Sequence, residues 1–256
     1  MPAGLGEFLR SRRERLTPES VGLPSGRRRR TPGLRREEVA ELANIGVDWY
    51  VRLEQGRTVR PSTATVDALA TALRLDDTER AHLAVLAQQT GRPVFERETA
   101  PPAVKRLIDG LSQPAYATGR RWDVLAWNQA AVDLFTDFGR CPDEDRNILV
   151  YLLLDPAARR LFGPGWADRA RHTVGQFRAA HDVWADDPAF TGLAARLAAE
   201  CREFTAWWED HNIAVGSSSG RKVLHHPDRG VVAYDYATFQ SNDDAAVRLT
   251  VYAPSK

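Results

Sequence analysis

The stretch 34–61, LRREEVAELANIGVDWYVRLEQGRTVRP, constrains the fold more than any other part of the chain. It holds two short helical patterns, one tight turn between them, and basic residues on either side. Over residues 35–44, Val39, Leu42 and Ala43 form a stripe at helical spacing. Glu37 and Glu38 stand in the first turn, where the helix dipole favours negative charge. The second pattern, 47–55, has Gly46 as its N-cap and Gly56 as its C-cap. Tyr50 and Leu53 share one face and Ile45 precedes the cap as a hydrophobic staple, so these three pack onto the first helix. Val47, Asp48, Val51 and Arg52 then face outward, where they can meet bases, and Trp49 flanks them within reach of a sugar-phosphate backbone. Such an arrangement suits a helix laid in the DNA major groove.

On these residues the N-terminal part, about 5–86, resembles the phage-repressor-like (XRE-type) helix-turn-helix domains. The resemblance gives Arg36 the phosphate contact that a glutamine usually makes in that family. It gives Arg57 and Arg60, in the loop after the second helix, contacts to the DNA backbone. Two departures stand out. The cap is Gly46, so a side-chain cap bond is missing, and the link between the first helix, 5–15, and the second is long. That link carries Arg27, Arg28, Arg29 and Arg30, which read as a phosphate clamp or minor-groove arm, or else as a solvated loop. Charge favours a nucleic-acid partner: residues 1–60 hold 13 basic and 8 acidic side chains, while the whole chain is only +1.

At 256 residues the chain suits one large or two ordinary domains. Its longest apolar run, 148–154, is far short of the roughly 18 residues a membrane helix needs. The basic N-terminus lacks the apolar core of a secretory signal, so a cytoplasmic location is expected. Cys141 and Cys201, far apart in such a chain, read as free thiols. Helical patterns continue over 62–75 and 76–87, completing a five-helix domain over 1–90. Periodicity is lost over the linker 91–102, and a second domain spans 103–256.

The second domain opens with a helix at 104–111 and two short strands, 115–118 and 122–127. Helices follow at 128–138 and 147–154. Two longer amphipathic ones come next, one from Trp166 through Trp184, the other from Phe190 through His211 after an Asp187-Pro188 start. A hairpin, 221–226 with 231–239, and a last strand in which Val247, Leu249 and Val251 alternate close the chain. The expected fold class is a multi-domain one: an all-α helix-turn-helix domain, then an α+β domain with an antiparallel sheet of about five strands and helices on one face. The space between sheet and helices is a usual ligand site.

This half resembles the ligand-binding domain of MmyB-like actinobacterial regulators, on Trp122-Asp123-Val124-Leu125-Ala126-Trp127-Asn128-Gln129-Ala130, Trp207-Trp208-Glu209-Asp210-His211 and Gly220-Arg221-Lys222-Val223-Leu224-His225-His226-Pro227. The resemblance implies a PAS-like fold that binds long-chain fatty acids or similar apolar molecules. The residues are compatible with it, since six of the seven tryptophans lie here and such rings either fill a core or line a cavity. Trp122, Trp127, Phe135, Leu152, Phe177, Phe204 and Trp208 are the candidate apolar lining. Arg121, Asn128 and His211 are candidates for a carboxylate head group. The plainer roles are a helix N-cap for Asn128 and a C-terminal cap for His211.

No nucleophile motif, phosphate loop or paired carboxylates in an apolar helix is present, so catalytic residues are not expected. His225 and His226 point to opposite faces of a strand and read as turn decoration rather than metal ligands. The sequence therefore reads as a sequence-specific transcription regulator and not an enzyme. It is expected to bind double-stranded DNA at an inverted repeat as a homodimer, to bind a small apolar effector for which a fatty acid is the candidate, to need no cofactor or metal, and to have no membrane partner. The alternatives are a regulator whose second half is a ligand-free interaction scaffold, or an enzyme with a DNA-binding head.

Overall fold

The structure is a computed structural model that describes residues 3–24, 33–57, 60–88, 94–214, 216, 218–241, 244 and 246–255. Arg27 to Arg30, part of the 91–102 linker and part of the last turn before the final strand lie outside the described residues. The chain forms two units. One comprises Met1–Phe95, Arg178–Gly192 and His211–Ala214; the other comprises Glu96–Phe177, Leu193–Asp210 and Val215–Lys256. The first unit thus takes in pieces of the chain well beyond the expected 1–90.

Five helices build most of the first unit: α1 (Ala3–Arg15), α2 (Arg36–Leu42), α3 (Val47–Glu54), α4 (Thr63–Ala72) and α5 (Asp77–Gln88). Their apolar stripes converge on one core containing Leu5, Phe8, Val39, Tyr50, Leu69 and Leu83. Local chemistry sets the ends. The Arg35 N–H donates to Glu38 Oε2 at 2.7 Å ahead of α2, and Ser62 Oγ accepts the Thr65 N–H at 3.2 Å to cap α4. The turn between α2 and α3 places Asn44 at φ 52°, a left-handed conformation that asparagine tolerates better than most residues. As expected, Gly46 caps α3 without a side-chain bond. α1 crosses α3 so closely that a Cβ on Gly6 would stand 2.3 Å from the Glu54 carbonyl oxygen.

The second unit is built on an antiparallel sheet of five strands: β1 (Ala115–Thr118), β2 (Val124–Trp127), β3 (Ser219–His226), β4 (Gly230–Gln240) and β5 (Arg248–Pro254). Their order is β2-β1-β5-β4-β3. The register aligns Tyr116 with Thr250, Thr250 with Thr238, and Tyr252 with Tyr236, so these side chains share one face. The other face carries Ala115, Ala117, Leu249 and Val251, which pack with Ile108 of α6 (Pro102–Gly110). The alternating Val247, Leu249 and Val251 belong to this α6 side.

Helices α7 (Gln129–Leu134), α8 (Ile148–Leu154), α9 (Pro156–Phe162), α10 (Trp166–Val183), α11 (Pro188–Glu200) and α12 (Arg202–Glu209) complete the chain. Two expected helices are shorter than their patterns. The 128–138 helix stops at Leu134, because Asp137 Oδ1 takes the Gly139 N–H at 2.9 Å and starts a separate turn. The long helix ending near His211 breaks at Cys201, whose backbone is extended (φ −133°, ψ 109°) and whose Sγ accepts the Phe204 N–H at 3.4 Å. Both cysteines are free, and burial pushes both thiols up. Among the described residues no helix is long and apolar enough to cross a membrane.

Candidate functional site

On the first unit, α3 divides as its sequence requires. Tyr50 and Leu53 are fully buried, while Val47, Asp48 and Arg52 are exposed and Val51 is half-exposed beside them. Arg57 and Arg60, beyond the end of α3, are exposed. Two of the expected DNA contacts are otherwise engaged. Trp49 is half-buried against the core rather than projecting from it. The Arg36 guanidinium donates to Glu54 Oε1 at 3.1 Å, although 41% of its side chain stays exposed.

Glu54 escaped sequence reasoning. It sits in the last turn of α3, a poor place for an acid against the helix dipole. It is nonetheless buried, accepting from Arg13 Nε at 3.1 Å, Arg13 Nη2 at 2.8 Å and Arg36. Arg13 also donates to the Leu34 carbonyl at 2.8 Å. Burial works to raise the Glu54 carboxyl, but the bonds from Arg13 and Arg36 outweigh it and hold the group below its usual value. The three charges fix the outward-facing helix against α1 and α2. An acidic residue on the inner face of the α3 pattern was the available signal.

A second charged cluster in this unit uses the end of α10. Asp182 is paired with His82 at 3.0 Å and Arg178 at 3.2 Å, and Arg178 reaches Glu7 at 2.7 Å. Burial works to raise Asp182, yet bonds from His181 and His82 and the Arg178 charge hold it at about 2. His211 belongs here too, with Arg178 on its Nδ1 and its carbonyl accepting from Arg12 at 2.9 Å, so it does not line the cavity of the second unit.

That cavity, about 400 Å³, lies within the second unit. Its sheet side is Tyr116 and Thr118 of β1, Tyr236, Thr238 and Gln240 of β4, Arg248, Thr250 and Tyr252 of β5, and Lys222 of β3. Phe135, Phe138, Ile148, Tyr151, Leu152 and Phe162 form an apolar side, and α10 contributes Arg169, Thr173 and Gln176. Trp122 lines it as well, held at φ 65°.

Of the expected ligand residues, Trp122, Phe135 and Leu152 line this space. Arg121 does not; both its Nε and Nη2 grip Asp123, at 2.9 and 2.8 Å. Asn128 caps α7 and is otherwise committed: its Oδ1 accepts from Ala115 and Ala131, and its Nδ2 donates to the Ile108, Leu111 and Gln113 carbonyls. Trp127 packs on Phe138, and Phe177 and Phe204 both pack on Trp208, so these four meet neighbouring rings instead of lining the cavity, the two phenylalanines fully buried and the two tryptophans half-buried. His226 closes its hairpin, its Nδ1 accepting the Asp228 and Arg229 N–H groups.

Sequence reasoning missed Arg169, Lys222 and Arg248. Burial, then the Arg169 charge, push the Lys222 ammonium down to about 7, and burial lowers Arg248. The readable signal was polar alternation: positions 236, 238 and 240, and 248, 250 and 252, place tyrosine, threonine, glutamine and arginine on a helix-covered sheet face.

A helix-turn-helix head followed by a cavity-bearing sheet domain defines a two-domain, DNA-binding transcription regulator with a ligand-binding C-terminal domain. A helix-turn-helix domain model matches residues 4–83, and the model of the MmyB-like transcription regulator ligand binding domain matches residues 100–256. The chain belongs to this MmyB-like family of transcription regulators. No curated protein matches it.

Proposed function

We propose that the protein is a sequence-specific regulator that binds an inverted-repeat operator as a homodimer, and that a small acidic molecule with an apolar body sets its affinity for DNA. It acts in the cytoplasm and binds its effector without turning it over. The observation that carries the DNA reading is the division of α3: Val47, Asp48 and Arg52 outward, Tyr50, Leu53 and Glu54 buried. One helix reads few base pairs, so a two-fold pair of heads about one DNA turn apart supplies the missing specificity. The cavity supports the effector reading, and a fatty acid is one candidate of the required kind. The physical route for coupling is α10, a single helix that lines the cavity with Arg169, Thr173 and Gln176 and carries Arg178 and Asp182 into the charged cluster of the first unit. Selection of duplexes from a random pool on the full-length protein should enrich half-sites in inverted orientation, roughly 10 base pairs between centres. Enrichment of no sequence would refute this reading.

A further inference from the structure

The cavity does not have the character of an oily pocket. Arg169, Lys222 and Arg248 face it, and its described lining residues include no Asp or Glu. Among the described residues, none of the three cations forms a salt bridge. They lie against rings instead. Lys222 Nζ is 4.6 Å from the Tyr236 ring centroid and 4.8 Å from that of Tyr252, and the Arg248 guanidinium is 5.7 Å from Trp122. Ring faces offset only part of what an ammonium or guanidinium loses on leaving water; a matched anion supplies far more.

The sheet floor adds hydroxyls. Tyr116 and Tyr252 share a hydrogen bond at 3.2 Å, Thr238 and Thr250 one at 3.0 Å, and Lys222 donates to the Tyr252 oxygen. An alkyl chain laid over this floor would strip water from those groups and return no bonds. Phe135, Phe138 and Phe162 add apolar rings, Phe135 packed on Tyr116 and Tyr252 and Phe162 6.0 Å from Lys222 Nζ. The lining thus mixes aromatic rings with hydroxyls and cations. A flat ring with oxygen substituents and an acid group satisfies all three, and a long alkyl chain leaves the hydroxyls unmet.

We propose that the effector is a ring-bearing organic acid, an aryl carboxylate or acidic phenol with further oxygen substituents. Its anion sits by Lys222 and by Arg169, whose charge acts on that ammonium, and its ring lies against the aromatic and hydroxyl-bearing lining, with Arg248 beside Trp122 meeting a further oxygen substituent. The inference rests on the reading of this cavity as the effector site, and it narrows the ligand away from long-chain fatty acids. The charged and titratable groups around Lys222 are Arg169 of α10, Tyr236 of β4 and Tyr252 of β5. No acid among them opposes the loss of its proton, so an incoming anion restores the charge.

Calorimetric titration of the full-length protein with hydroxynaphthoate, its neutral amide hydroxynaphthamide, and laurate tests this. Hydroxynaphthoate should bind at least about tenfold more tightly than the amide, the difference a charge-assisted contact supplies, and more tightly than laurate, which carries the anion but neither ring nor hydroxyl. Lys222→Met and Arg169→Gln should each weaken the acid by about tenfold and remove most of its advantage over the amide. Two variants guard against one failing to fold, and a retained melting transition checks each. Equal binding of acid and amide, or an acid affinity unmoved in both variants, would overturn the proposal. Laurate binding tightest would overturn it too while leaving the effector site in place. Binding by none of the three overturns the ring-acid class alone, because the effector reading is tested separately by native mass spectrometry for a co-purified molecule.

Discussion

Glu54 and Lys222 show how single charges work in opposite senses. Glu54 is held ionised by Arg13 and Arg36, and its side chain is only 1% exposed. Glu54→Gln leaves Arg13 buried with half its partners and should cost about 3 kcal/mol in urea unfolding. With a folded pKa below its unfolded value, Glu54 contributes stability that is present above about pH 4.5 and lost as pH falls. Lys222 has the contrary sign. Its folded pKa of about 7 lies below the ordinary 10.5, so between those values the unfolded chain binds more protons and stability rises with pH. Lys222→Met should therefore raise the ligand-free melting temperature near neutral pH, by about 1–2 kcal/mol in stability, and flatten the slope of stability against pH from 7 to 10.5. An unchanged slope would mean that Lys222 is not the group responsible.

At the scale of elements, α3 and the α7 cap are the most exacting. Arg52→Ala should lower the ratio of specific to non-specific DNA binding by roughly 1–3 kcal/mol, read by competition titration. Arg57→Ala and Arg60→Ala should weaken all duplexes alike and each reduce the slope of log affinity against log salt by about 0.9. Asn128→Ala removes the α7 cap and the bonds to the carbonyls of Ile108 in α6 and of Leu111 and Gln113 beyond it, and should cost about 3 kcal/mol. The sequence made α3 readable because Tyr50 and Leu53 keep helical spacing against exposed neighbours. The sheet was readable from its alternation and turn residues. What it hid depended on partners distant in sequence. Asn128 looks like a ligand contact until its three carbonyl partners are known, and Arg121 looks available until Asp123 folds back on it. The break at Cys201 hid because a thiol is a poor signal for a cap, and apolar spacing runs straight through it. The cationic side of the cavity hid because the apolar phase of β5, Val247-Leu249-Val251, faces α6, while the informative phase was Arg248-Thr250-Tyr252.

For the whole molecule, chain order and structural units diverge. Residues 178–192 and 211–214 are grouped with the helix-turn-helix unit, so α10 and α11 each contribute to both units. A ligand can change DNA affinity only through a difference in its binding to two states of the protein, and α10 joins the ligand wall to Arg178 and Asp182 without a break in the chain. Asp182→Asn should uncouple the two activities, leaving hydroxynaphthoate binding intact and abolishing its effect on DNA, at some cost in stability from the loss of the His82 and Arg178 partners. Ligand and DNA titrations on the same preparation separate these effects. The most direct test of the account is a fluorescence-anisotropy titration of the full-length protein on its selected operator, with and without saturating hydroxynaphthoate. A shift in DNA affinity of about 5–150-fold, reached in Lys222→Met only at about tenfold higher hydroxynaphthoate, is the predicted result; the same affinity in both conditions, with hydroxynaphthoate shown to be bound, would contradict it.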